Sequence, residues 1–181
     1  MILVLEKEFE RLEKQRKDII SEVRSLTNEQ RTWRPAPDAW CLLEVFVHLM
    51  TAERNGLTYM NKKVQSIDDL EKGGITSDLR LALLNSFLRL PVKYEAPAAA
   101  QFQPREYYDF KEIEAEWNEL RTEWQEFLDE FDKESAEKLL FKHPLMGRFN
   151  LEQTLRFMYE HVDHHRAQIK RIQDHPDFPK A

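Results

Sequence analysis

Apolar residues recur through most of the chain at spacings of three and four with charged residues between them, the pattern of helices that each bury one stripe. Phe9, Leu12, Ile19, Ile20, Val23 and Leu26 mark one stripe. Ile113, Trp117, Leu120, Trp124, Phe127, Leu128 and Phe131 mark another. Prolines at 35, 37, 91, 97, 104, 144, 176 and 179 leave the proline-free blocks 1–34, 38–90, 105–143 and 145–175. Proline breaks a helix interior, so four blocks predict four long helices. The second runs from residue 38 or 40 to about 62, with Asp38 as N-cap, and the third from 111 to about 131. The fourth starts near Asn150, which stands three positions before Gln153 in a capping-box pattern, and continues to about 173. A shorter helix is expected over 78–90, then an irregular Pro- and Ala-rich stretch over 91–104.

No alternating run predicts a strand, and no repeat of solenoid period occurs. The long connection after the second block lets the second and third long helices run the same way. The expected fold is therefore all-α: one domain over 1–181, a four-helix bundle with a long crossover between its second and third helices.

Charge and composition narrow the function classes. Lys and Arg number 27 against 33 Asp and Glu, a formal net of −6, which argues against a general nucleic-acid binder. No run approaches the ~20 apolar residues of a membrane span. The N-terminus has a short apolar run with acidic residues after it, the wrong order for a secretory signal, and the single Cys41 cannot form an internal disulfide. The expected location is the cytoplasm. Four glycines and no phosphate-loop pattern leave no nucleotide cradle.

Chemistry is concentrated in the histidines. His161 and His165 are four apart, so on a helix they project from one face about a turn apart. That face also carries Thr154, Phe157, Met158, Gln168, Ile169 and Ile172, the inward stripe, with His164 at its edge. His48 shares a face of the second helix with Cys41, Val45, Ala52 and Tyr59. Three imidazoles from two helices could meet, the ligand count of a catalytic zinc-type site that keeps a position open. Three imidazoles equally suit nickel or iron, and the same histidines could be core or edge residues without metal. Glu44, Glu53, Asp163 and Gln168 are candidate acceptors for the outer ring nitrogens. The lone thiol reads as a small buried hydrophobe, and Trp33 and Trp40 as loop anchors at the bundle end.

Residues 26–53, with Trp33, Pro35, Trp40, Glu44 and His48–Leu49 as landmarks, resemble the first block of the DinB-like superfamily. Residues 143–169, with His143–Pro144, Gly147, the His161 and His165 pair and Gln168–Ile169, resemble its last block. The resemblance implies a four-helix bundle with a long crossover and one divalent metal, zinc or nickel, held by His48, His161 and His165. It also implies a small-molecule substrate, since members include metal-dependent hydrolases and transferases or isomerases that use a low-molecular-weight thiol. Glu44 and Glu53 are the candidate catalytic bases. The competing expectation is a non-catalytic bundle serving as an interaction module, and a homodimer is compatible with either.

Overall fold

The computed structural model describes residues 1–90, 105 and 107–180, so the irregular stretch expected at 91–104 lies outside the described residues. Four long helices carry the core: α1 (Leu3–Arg24), α3 (Leu42–Lys63), α5 (Phe110–Asp129) and α7 (Leu151–Gln173). Their inward stripes supply Leu12, Ile19, Leu43, Phe46, Trp117, Trp124, Leu155 and Val162, all nearly inaccessible to solvent.

Contacts along the helices fix their relative directions. Glu8 pairs with Arg156 at 3.3 Å and Glu22 with Arg166, so α1 and α7 run parallel. Phe46 meets Phe110, and Arg54 reaches Glu123 at 3.3 Å, so α3 and α5 are parallel to each other. Arg16 bonds Asn118 at 2.9 Å while Arg24 pairs with Glu114, which sets α1 against α5. His48 faces His161 while Gly56 lies against Met158, which sets α3 against α7. A Cβ at Gly56 would come within 3.0 Å of the Met158 methyl, so glycine permits that approach. Because α3 and α5 point the same way, the chain must return the length of the bundle, ~30 Å for a 20-residue helix. This is the expected crossover. It begins with a 3₁₀ stretch (Val64–Asp69) and α4 (Ile75–Leu88), which lies along α7.

Several local expectations need correction. The first block does not hold one helix: α1 stops at Arg24, and Thr27 starts a separate short α2 (Asn28–Thr32) through a capping box with Gln30. Gln30 Nε2 then donates to the Pro179 carbonyl, pinning the C-terminal tail. Asp38 does not cap α3. The N-cap is Cys41, whose N–H donates to the Glu44 carboxylate at 2.9 Å. A strand pair is present where none was expected: β1 (Phe141–His143) and β2 (Gly147–Phe149) form an antiparallel hairpin with Phe141 opposite Phe149. Three residues per strand are too few to show an alternation. Gly147, at φ +84°, supplies the left-handed conformation that the turn requires. The capping box at Asn150 and Gln153 forms as expected, with bonds of 2.8 and 3.1 Å.

Candidate metal centre

His48 stands in the second turn of α3, and His161 and His165 stand one turn apart on the inward face of α7. The antiparallel crossing of these helices brings the three rings together, with centroids separated by 5.3, 4.6 and 4.8 Å. One ligand nitrogen from each lies within 4.8 Å of the others. The Nε2 atoms of His48 and His161 are 3.3 Å apart. Two nitrogens bound to one tetrahedral zinc at ~2.0–2.1 Å are separated by ~3.3–3.4 Å, so this pair already has the spacing of two ligands of one ion. The donor set fits a borderline-soft divalent metal such as zinc or nickel.

Ring orientation is fixed from outside. His165 Nδ1 lies 2.8 Å from Gln168 Oε1, and since an amide oxygen only accepts, Nδ1 carries the proton and Nε2 keeps its lone pair. His161 stacks on Phe157 at 5.7 Å, which in turn contacts His143 at 5.0 Å. His164 Nδ1 donates instead to the Leu88 carbonyl at 2.6 Å, so it ties α7 to the last turn of α4.

Burial keeps the cluster neutral. Desolvation, with a smaller contribution from His164, lowers His48 to about 4. Desolvation and the neighbouring His48 lower His165 to about 3, and desolvation, followed by His165 and then His48, holds His161 well below the ordinary imidazole value. Neutral imidazole is the form that ligates metal.

The two carboxylates are committed elsewhere. Glu44 accepts from Arg34 at 2.7 Å, from the Cys41 N–H and from the Tyr108 hydroxyl at 3.3 Å. Burial would raise its pKa, but the bonds from Arg34 and Cys41 overcome that and hold it below the usual carboxylate range. Glu53, 1% exposed, faces α5, accepting from Trp117 Nε1 at 2.9 Å and Arg121 Nη2 at 2.7 Å. Arg121 Nε also lies 3.3 Å from Glu13, without hydrogen-bond alignment. None of these hydrogen bonds of Glu44 and Glu53 reaches an imidazole, and Asp163 is exposed. Of the candidate acceptors, only Gln168 takes that position.

Trp40 belongs to the histidine cluster as well as to the loop before α3. Its ring lies 4.9 Å from His48 and 6.3 Å, nearly parallel, from His165, so it walls one side of the cluster. Its place just before the helix that carries His48 was the available signal. Trp33 does act as an anchor, packing on His175 and Phe178. The Cys41 thiol is buried, and desolvation pushes it up to about 11.

The sequence profile of the DinB superfamily matches residues 11–169. Two solved structures share the fold. YfiT from Bacillus subtilis, described as a probable metal-dependent hydrolase with an unusual four-helix bundle topology, is 19% identical with a TM-score of 0.60, covering 93% of this chain and 85% of its own. TT2238, described as a four-helix bundle protein, is 18% identical with a TM-score of 0.54, covering 91% of this chain and 97% of its own. No curated protein sequence matches the chain.

Proposed function

The chain belongs to the DinB superfamily, and on that premise we propose that it is a divalent-metal-dependent enzyme whose zinc or nickel ion is held by His48, His161 and His165. The observation that carries this reading is the convergence of three neutral imidazole nitrogens within 4.8 Å, two of them already at tetrahedral ligand spacing. The description of YfiT as a metal-dependent hydrolase agrees with it. With three uncharged ligands a bound divalent ion keeps its full double positive charge and lowers the pKa of water, to ~7 for zinc, or of a low-molecular-weight thiol at the remaining position. The first outcome gives hydrolysis and the second thiol transfer to a small-molecule substrate.

The protein's own groups bind and orient. Gln168 holds the His165 tautomer, Phe157 sets the plane of His161, and Trp40 keeps water from one side of the ring cluster. Glu44 fixes the first turn of α3, one turn before His48. Glu53 locks α3 onto α5. Both carboxylates are positioning residues, since their oxygens are occupied by donors other than the imidazoles.

Elemental analysis of the purified full chain tests the assignment. Near-stoichiometric divalent metal at pH ~7.5 is expected, and an absence of metal there overturns it. With nickel or cobalt in place, a change in absorption on adding 2-mercaptoethanol selects the thiol branch. An unchanged spectrum together with turnover of a nitrophenyl ester selects hydrolysis.

A further inference from the structure

The β1–β2 hairpin brings a second set of donors up to the histidine cluster. His143 Nδ1 accepts from the Leu145 and Met146 N–H groups at 3.3 and 3.2 Å. A ring nitrogen that accepts carries no hydrogen, so this neutral imidazole has its hydrogen on Nε2. Among the described residues no acceptor takes that hydrogen, and the ring is only partly buried. Steps of 5.0 Å to the Phe157 ring and 5.7 Å onward to His161 join it to the cluster, the length scale of a short dicarboxylate. Gly147 is paired directly opposite His143, and cross-strand partners project to the same face. On that face the Arg80 guanidinium, from α4, fills the place of a side chain at 147: a Cβ there would come within 3.1 Å of Arg80 Nη1. Arg80 is exposed and has no carboxylate partner among the described residues, although acidic residues outnumber basic ones 33 to 27.

We propose that the His143 Nε2–H and the Arg80 guanidinium form an anion subsite, which binds a carboxylate of a small-molecule substrate whose reacting end lies at His48, His161 and His165. This rests on the metal assignment above and names the substrate class for it: a short acid with a second polar group for the ion. A neutral N–H and a permanent positive charge both donate and neither offers a lone pair, so together they select an anion over a cation. One positive charge matches one carboxylate, where a phosphate dianion would call for more. Gly147 serves both donors. Its left-handed φ shapes the turn whose N–H groups hold His143, and its missing side chain leaves room for Arg80. In a chain of net charge −6 such a site draws its ligand by a local field and not by the overall charge.

Calorimetric titration of the zinc-loaded full chain, after its zinc content has been measured, decides the matter. Succinate, glutarate and adipate are compared with butyrate, valerate and caproate, the monoacids of the same chain lengths. At least one diacid should bind wild type ~10–100-fold more tightly than its monoacid, the range of a hydrogen bond to a charged group. Arg80→Gln and His143→Asn should each lose most of that preference and keep zinc. Asparagine retains a side-chain acceptor for the turn N–H groups but has no donor at the Nε2 position, so a purely structural His143 would leave His143→Asn like wild type. If that variant does not fold, Arg80→Gln, at an exposed position, decides alone. Absence of zinc from wild type overturns the metal assignment and the subsite with it. Bound zinc with no diacid preference, or a preference that either variant keeps in full, overturns the subsite alone. Loss of zinc from either variant also overturns it and assigns that residue to holding the metal.

Discussion

His165 and Gln168 are joined by a 2.8 Å hydrogen bond from Nδ1–H to the amide oxygen, three residues apart on α7. The bond leaves the His165 Nε2 lone pair directed toward the other two imidazoles. Removing such a partner of a ligand histidine typically costs ~10–100-fold in metal affinity. Gln168→Ala should lose affinity in that range, and Gln168→Glu, which keeps an acceptor, should not. Competition with a chromophoric chelator reads the difference.

Metal content should separate the four histidines of this region. His48→Ala, His161→Ala and His165→Ala are each expected to lose bound metal. His164→Ala is expected to keep it, because its ring bonds the Leu88 carbonyl. That variant should instead lose ~1 kcal/mol of stability, seen in urea unfolding, with faster amide exchange at the end of α4.

Acid should destabilise the metal-free protein through its buried imidazoles. Desolvation lowers His48 and His143 to about 4, and His165, also near His48, to about 3. The unfolded chain takes up these protons near ~6.5. Between those values the unfolded state binds more protons, so the stabilisation is complete above ~6.5, declines as pH falls through the window and is gone below the folded values. The urea midpoint of metal-stripped protein should hold from pH ~8 to ~7 and fall toward pH ~4.5, less steeply in His143→Phe. Parallel profiles for the two proteins would contradict the assignment for His143.

Glu53 should prove structural. Glu53→Ala leaves the buried Arg121 guanidinium without its nearest carboxylate, a change that costs about 3–5 kcal/mol at buried ion pairs. The folded fraction of the variant should still bind metal at wild-type stoichiometry. Loss of metal from protein whose near-ultraviolet spectrum is native would show that Glu53 acts at the site itself.

The long helices were legible because their stripes repeat over many turns. The capping box at Asn150 and the His161 and His165 spacing were legible because both are local to one helix. What escaped depends on contacts distant in sequence or on very short elements. Nothing local to Glu44 shows that Arg34 and Tyr108 close on it, the latter 64 positions away. Glu53 meets Trp117 and Arg121 across a similar gap. The break between α1 and α2 contains neither proline nor glycine, so the stripe seemed to run on. The hairpin of three-residue strands falls below the length at which alternation means anything.

The opposed crossing of α3 and α7 joins His48 to His161 across 113 positions of chain. During synthesis, therefore, no nascent fragment that ends before α7 contains the full ligand set, however well its first three helices have formed. An ion that bridges those helices closes one of the longest loops available in this fold, and long loops are where such closure removes the most freedom from the unfolded ensemble. Metal occupancy would then report on whether synthesis had passed His165, and a chain cut short before that residue would be marked by its failure to retain the ion.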